Sequence, residues 1–167
     1  MGAGSACFQT LEKALSAALK KLVAMRAKEG RELADDLKAR LVALEAMLKQ
    51  IETLAPQVVS KRRKKLFKTL ETQGFEKDER VLKEIALFGE KSDITEEITR
   101  LTSHIKQFRA RLRSAEPVGR ELDFLVQEFL REINTIGSKA NDLKITQRVV
   151  AFKTELERIR EQVQNVE

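Results

Sequence analysis

The apolar residues of this chain recur at alternating steps of three and four, the spacing that places them on one side of an α-helix. Such spacing sustained over about three heptads is typical of a coiled-coil seam, within one chain or between chains. No stretch of useful length alternates as a half-buried strand would, so we predict an all-α fold. The clearest seam has 4-3-4-3-4-3 spacing and consists of Ile145, Val149, Phe152, Leu156, Ile159, Val163 and Val166.

Few residues interrupt these patterns. The 167 residues include two prolines and seven glycines, while 42% are hydrophobic and 35% are charged. This balance favours long antiparallel amphipathic helices with wide solvated faces over a disordered chain. A first helical pattern is predicted from Phe8 to about Leu54, with Gly30 as a tolerated weak point. Pro56 is expected to close it or to begin a second helix, because a first-turn proline loses no hydrogen bond.

The remaining boundaries follow from capping and breaking residues. Gly74 is a plausible stop, and Asp78 opens a third helix that ends near Gly89. Later boundaries are a cap at Ser92 or Asp93, a start at Pro117, an end at Gly137 and a final cap at Asn141 or Asp142. The predicted organisation is a disordered start or tag remnant over 1–8, a long helical hairpin over 9–90 and a three-helix region over 91–167.

Composition excludes several kinds of site. Cys7 is the only cysteine and His104 the only histidine. A disulfide framework within the chain, a cysteine-based zinc site and any site with two histidine ligands from one chain are therefore excluded. No apolar run is long enough to span a bilayer, and the first seven residues lack the apolar centre of a signal peptide. A cytoplasmic protein without a membrane partner is expected.

The strongest local charge signal is the basic run over residues 61–68. It contains six cations within eight residues, in a chain whose net charge is +6. Cations this close repel one another, and phosphate groups would relieve the repulsion. A solvated helix face paired with glutamates of a neighbouring helix is the alternative. The candidate phosphate contacts are Arg62, Arg63, Lys64 and Lys65.

Two later helices carry polar faces that could support chemistry. Glu97, Arg100 and His104 share one face of the fourth helix, where a carboxylate could orient the imidazole for proton transfer. Glu128 and Glu132 lie one turn apart on the fifth helix, and an arginine or a divalent cation would remove their repulsion. Ordinary hydrogen bonds and surface ion pairs are the alternatives for both faces. The polar face of the fifth helix also contains Arg120, Asp123, Gln127, Arg131, Asn134, Ser138 and Lys139.

Several stretches together resemble the YicC/YloC family of endoribonucleases. They read EIALF at 84–88, KSDITEEI at 91–98, PVGRELDFLVQE at 117–128, NTIGSKAND at 134–142 and REQVQNVE at 160–167. The resemblance extends from about Gln9 onward and is looser before Glu84. The family's N-terminal domain is not part of this sequence, which therefore resembles a C-terminal fragment. Leu130 stands where the family usually has asparagine.

The resemblance implies an RNA-binding, metal-dependent endoribonuclease that uses Mn²⁺ or Mg²⁺ and assembles as a ring-shaped hexamer around RNA. No small-molecule cofactor is expected. Glu97, Glu128 and Glu132 are the predicted metal ligands, and they form the predicted catalytic set together with His104. The predicted RNA contacts are Arg62, Arg63, Lys64, Lys65, Arg100, Arg120, Gln127, Arg131, Asn134, Ser138 and Lys139. The rival hypothesis is a structural oligomerisation domain without activity of its own; a helical adaptor for another protein is a third.

Overall fold

The computed structural model describes residues 3–73, 80, 83, 92–114 and 116–166, with side chains from Cys7 onward except those of Arg62 and Gln73. Within these residues the chain is helical and contains no strand, so the predicted all-α class is confirmed. None of the described helices is long and apolar enough to cross a membrane. The helices are α1 (Ala3–Gln73), α2 (Thr95–Arg111), α3 (Gly119–Ala140) and α4 (Leu143–Val163).

Helix α1 is continuous through Pro56, so the prediction that this proline ends or begins a helix was wrong. Proline removes one backbone hydrogen bond, the one that the carbonyl oxygen of Glu52 would accept. Both residues are exposed, so water can solvate that oxygen and the helix continues. Helix α1 also begins at Ala3, within the predicted disordered start. The predicted stop at Gly74 and most of the third helix over 78–89 lie outside the described residues.

The chain divides into two compact units, residues 1–37 and 38–167. In the first unit, the large apolar side chains of α1 between Phe8 and Met25 are exposed, with Phe8 at 68% and Met25 at 52%. In the second unit, Leu41, Leu44 and Leu48 of the same helix are buried. The predicted division at 90/91 falls at the edge of a segment outside the described residues and stays a prediction, as does the hairpin over 9–90.

The core of the second unit is built from the predicted apolar stripes. Six of the seven seam residues of α4 are buried, from Ile145 to Val163. Phe108 of α2, Phe129 of α3 and Phe152 of α4 are fully buried, and the rings of Phe108 and Phe129 lie 5.8 Å apart. Helix α3 packs against both α2 and α4. The regular 3.6-residue period therefore places the large side chains in one shared core.

The connection between α3 and α4 differs from the prediction that Gly137 ends a helix. Helix α3 continues to Ala140, and Asn141 then adopts the left-handed conformation with φ 42° and ψ 46°. The Asp142 carboxylate accepts hydrogen bonds from the backbone N–H groups of Lys144 at 2.8 Å and Ile145 at 3.2 Å. A Cβ on Gly137 would lie 3.2 Å from Cγ1 of Val149. The glycine thus allows α3 and α4 to approach closely, rather than ending a helix.

The start of α2 positions one end of the candidate site. Asp93 Oδ1 accepts hydrogen bonds from the Thr95 hydroxyl at 2.6 Å and the Thr95 backbone N–H at 2.9 Å. The hydroxyl bond, followed by the backbone bond, lowers the pKa of Asp93 below its ordinary value. The N-cap residue of the helix is nevertheless Ile94, without a side-chain cap, so the predicted cap at Ser92 or Asp93 was wrong by one or two residues.

Candidate functional site

A line of three ion pairs and one histidine–carboxylate contact joins α2 to α3 along one side of their interface, and we call it the polar seam. Partner numbers fall along α3 as they rise along α2, so the two helices are antiparallel. This arrangement brings together the two polar faces that the sequence placed on separate helices. The pairs are Glu97 with Lys139 at 2.7 Å, Arg100 with Glu132 at 3.4 Å, His104 with Glu128 at 4.0 Å and Arg111 with Glu121 at 2.6 Å.

At the centre of the polar seam, His104 faces Glu128 and Glu132. One nitrogen or oxygen of each side chain lies within 4.8 Å of the others, and we call these three residues the central triad. The side chains of His104 and Glu128 are 19% and 22% exposed, and that of Glu132 is 4% exposed. The two glutamates are one turn apart on α3, and the fully buried Phe129 lies between them in sequence. The core therefore fixes the helix face that presents both carboxylates.

Two arginines balance the carboxylates of the central triad. The Arg100 guanidinium lies 3.4 Å from Glu132 Oε1 and donates a 2.5 Å hydrogen bond to Glu96 Oε1. The negative charge of Glu96, and then the contacts with Glu132, raise the pKa of Arg100 above its already high ordinary value. Arg131 Nη1 lies 3.9 Å from Glu128 Oε1. The buried Glu132 and the half-buried Glu128 are thus tolerated together because a cation lies next to each of them.

The central triad fits a divalent cation by donor type and by separation. One imidazole nitrogen and two carboxylates are ligands that Mn²⁺ accepts. His104 Nε2 faces Glu128, while Nδ1 is buried and has no hydrogen-bond partner within the described part of the chain. A metal-binding histidine usually donates its second N–H to an acceptor, and loss of that acceptor typically weakens binding by about 10- to 100-fold. We therefore expect the two carboxylates to contribute most of the affinity for a cation.

Glu97 lies at the end of the polar seam and is not part of the central triad. Its Oε1 accepts a 2.7 Å hydrogen bond from Lys139 Nζ, which also donates to the Asp93 carbonyl oxygen at 3.2 Å. Its Oε2 is buried without a hydrogen-bond partner among the described residues. The predicted ligand set of Glu97, Glu128 and Glu132 is therefore divided in the structure. Glu97 and Lys139 form an ion pair that closes one end of the α2–α3 interface.

We expect Lys139→Met to lower the free energy of unfolding by roughly 3 kcal/mol, because it leaves a buried carboxylate without its cation. This is the low end for opening a buried pair, since the Lys139 side chain is 33% exposed while that of Glu97 is 6% exposed. The double variant Glu97→Met with Lys139→Met should recover most of the loss. Urea unfolding of the three proteins measures both effects. Equal stability of Lys139→Met and the unchanged chain would contradict this account.

The other predicted RNA contacts lie on two separate elements. On α3, Arg120, Gln127, Arg131, Asn134 and Ser138 are exposed, and the Gln127 side chain donates a 2.9 Å hydrogen bond to Asp123. On α1, Arg63, Lys64 and Lys65 are exposed, and the Arg63 guanidinium lies 5.6 Å from the centre of the Phe67 ring. The side chain of Arg62 lies outside those described. The polar seam contains only Arg100 and Lys139 of the predicted contacts.

One feature beside the polar seam was not predicted from the sequence. A surface hollow of about 480 Å³ lies between α2 and α3, at the end of the seam that Arg111 and Glu121 occupy. The exposed Phe124 and Arg120 line it. The sequence did offer a signal for it: Phe124 lies one turn from Arg120 on a helix face that is otherwise polar.

Comparisons with known proteins agree with the pattern of motifs. Residues 51–167 match the family described as "Endoribonuclease YicC-like, C-terminal". The chain is 43% identical over 161 residues to a protein of Clostridioides difficile named "Probable endoribonuclease YicC", covering 94% of this chain and 55% of that protein. A protein of the same name from Haemophilus influenzae is 35% identical over 160 residues, covering 95% and 56%. The chain thus spans about half the length of these curated relatives.

Proposed function

Because the chain belongs to the YicC-like endoribonuclease family, we propose that it binds RNA and supplies a cation-dependent centre that cleaves the RNA phosphodiester backbone. The observation that carries this proposal is the central triad, His104, Glu128 and Glu132, with ligand atoms within 4.8 Å of one another. These residues lie within the segment that matches the family. Arginines next to the triad supply the positive charge that a polyanion requires.

In this proposal Glu128, Glu132 and Nε2 of His104 hold the cation. A mixed nitrogen and oxygen set favours Mn²⁺ over Mg²⁺, which takes oxygen ligands in most protein sites. When bound, the cation would polarise an oxygen of the scissile phosphate and so stabilise the charge that develops during cleavage. His104 would hold its proton at Nδ1 and keep the Nε2 lone pair for the cation.

The arginines next to the triad have the exposure that phosphate binding requires. The side chains of Arg100 and Arg131 are 50% and 71% exposed, although each lies near a triad carboxylate. A guanidinium has five N–H donors in a planar fork, so one edge can contact a carboxylate while another contacts a phosphate. Arg100 and Arg131 would thus hold the backbone on either side of the scissile bond. The exposed Asn134 and Ser138 would extend these contacts along α3.

A second candidate function has its own supporting observation. The part of α1 within the first unit exposes a series of large apolar side chains, and such a surface favours association with another protein surface in water. A structural role in assembly, including the hexamer that the family resemblance implies, is therefore the alternative to activity within this chain. The exposed residues are Phe8, Leu11, Leu15, Leu19, Leu22, Val23 and Met25.

The test is binding and cleavage of a short labelled single-stranded RNA by this chain, at rising salt, with and without Mn²⁺. We expect binding that weakens steeply with salt, because phosphate contacts release counterions. We expect cleavage only with Mn²⁺, and none when a chelator is added. Binding without cleavage under all conditions would assign the chemistry to sequence outside this chain. Absence of binding at low salt would favour the assembly role.

A further inference from the structure

We propose that the hollow beside Phe124 is a subsite that stacks one base of single-stranded RNA next to the central triad. The inference rests on the proposed function and adds the form of RNA that the site takes. The hollow measures about 480 Å³, within the size range of sites that bind small organic groups. Its described lining residues belong to α2 and α3, the two helices that also provide the polar seam.

Phe124 provides the surface for stacking. Its side chain is 58% exposed, whereas Phe108, Phe129 and Phe152 are fully buried in the same unit. On α1, by contrast, the ring of Phe67 already has the Arg63 guanidinium 5.6 Å from its centre. The exposed ring of Phe124 is therefore an apolar surface that does not contribute to the core. Aromatic rings in such settings stack nucleobases of any sequence, because every base has a flat π-face.

The charges around the hollow suit a nucleotide. Its described lining residues include two arginines, Arg111 and Arg120, and one acid, Glu121. Arg111 Nε lies 2.6 Å from Glu121 Oε2 in an ion pair, and a guanidinium has further N–H donors that can contact a phosphate. A base on Phe124 would thus have guanidinium groups near its own phosphate. This pairing of an aromatic ring with arginines is the usual composition of a single-strand binding surface.

The rim also offers a group that can contact the edge of a base. Gln107 lines the hollow, and its Nε2 donates a 3.2 Å hydrogen bond to the Ser103 hydroxyl. That bond fixes the orientation of the amide, whose oxygen can accept a hydrogen bond from an amino group of a base. The subsite therefore combines a stacking surface, phosphate-binding cations and one directional acceptor.

The position of the hollow connects it to the proposed chemistry. Arg111 follows His104 by seven residues on α2, and Glu121 precedes Glu128 by seven residues on α3. Seven residues are two helical turns, which place the hollow on the same side as the triad and about 10 Å away along the helices. A single strand can therefore place a base on Phe124 while a nearby phosphate reaches the triad. A base inside a duplex is stacked on both faces and cannot do so.

The test compares Phe124→Leu and Phe124→Tyr with the unchanged chain, using a short single-stranded RNA and the same RNA carrying base-free nucleotides. We expect Phe124→Leu to weaken binding of the intact RNA by roughly 5- to 100-fold, and Phe124→Tyr to retain it. The base-free RNA should bind the unchanged chain and Phe124→Leu equally weakly. Val150→Ala is the control, since Val150 is also 58% exposed, lies on α4 and is not among the described lining residues of the hollow.

The outcomes separate this inference from the function on which it rests. If the unchanged chain binds and cuts the RNA, and Phe124→Leu behaves identically, the subsite is overturned and the proposed function stands. If Phe124→Leu changes the molecular mass of the assembly in solution and not its affinity for RNA, Phe124 is a protein contact and the subsite is overturned. If the unchanged chain binds no RNA, both proposals fail together.

Discussion

Glu132→Gln is expected to lower the rate of RNA cleavage by at least about 100-fold while it changes RNA affinity little, because a cation near phosphate contributes several kcal/mol to cleavage. An amide is a weak ligand for a divalent cation, so the variant should lose the cation and keep its arginines. Glu128→Gln should have the same effect. Single-turnover cleavage at saturating Mn²⁺ measures the rate, and binding without metal measures the affinity.

The control for these variants is Glu157→Gln on α4. Glu157 pairs with Arg160 at 3.4 Å and its side chain is 58% exposed, so it offers the same chemical change away from the polar seam. The buried Glu132 also pairs with Arg100, and thermal unfolding should confirm that Glu132→Gln remains folded at the assay temperature. Cleavage at the rate of the unchanged chain by both triad variants would contradict the assignment of the cation site.

Phe129→Ala is expected to lower the free energy of unfolding by about 3–5 kcal/mol, the usual cost of removing a fully buried aromatic ring. Its ring contacts that of Phe108 at 5.8 Å and lies 6.5 Å from the imidazole of His104. The variant should therefore loosen both the core and the central triad. Urea unfolding followed by circular dichroism measures the loss.

Phe124→Ala on the same helix is the matched control for Phe129→Ala. Because Phe124 is 58% exposed, removal of its ring should change stability by about 0.5 kcal/mol or less. Equal losses for the two variants would contradict the division of α3 into a core face and a solvent face. If Phe129→Ala alone is destabilised but cleaves at the normal rate, the ring does not position His104.

The sequence was sufficient to predict the core faces of the helices. Because each turn takes 3.6 residues, the seam from Ile145 to Val163 could only be buried along one side. Helix boundaries at Pro56 and Gly137, by contrast, could not be predicted from residue type alone. A proline or glycine ends a helix only where its free-energy cost exceeds the stabilisation that packing and solvation of the backbone contribute. Solvent reaches the backbone at Pro56, and close packing against Val149 requires the glycine at 137.

The candidate site could be predicted only in part, because its geometry depends on the register between two helices. The spacing of Glu97, Arg100 and His104 placed them on one face, but no local pattern specifies their partners on α3. The packing of α2 against α3 in the folded chain sets that register. It places His104 opposite Glu128, and Glu97 opposite Lys139. The grouping of Glu97 with Glu128 and Glu132 could not be tested before this register was known.

The ion pair between Arg40 of α1 and Glu155 of α4 spans 115 positions of the chain, whereas Gly137 meets Val149 across only a two-residue connection. Contacts close in sequence form fast and distant ones form late. Because synthesis runs from the N-terminus, the whole of α1 leaves the ribosome well before α4 has been made. Until α4 is made, the face of α1 that carries Leu41 and Leu44, buried in the finished fold, can be covered only by earlier parts of the chain. We therefore expect nascent chains of this protein to depend on chaperones that bind exposed apolar helices.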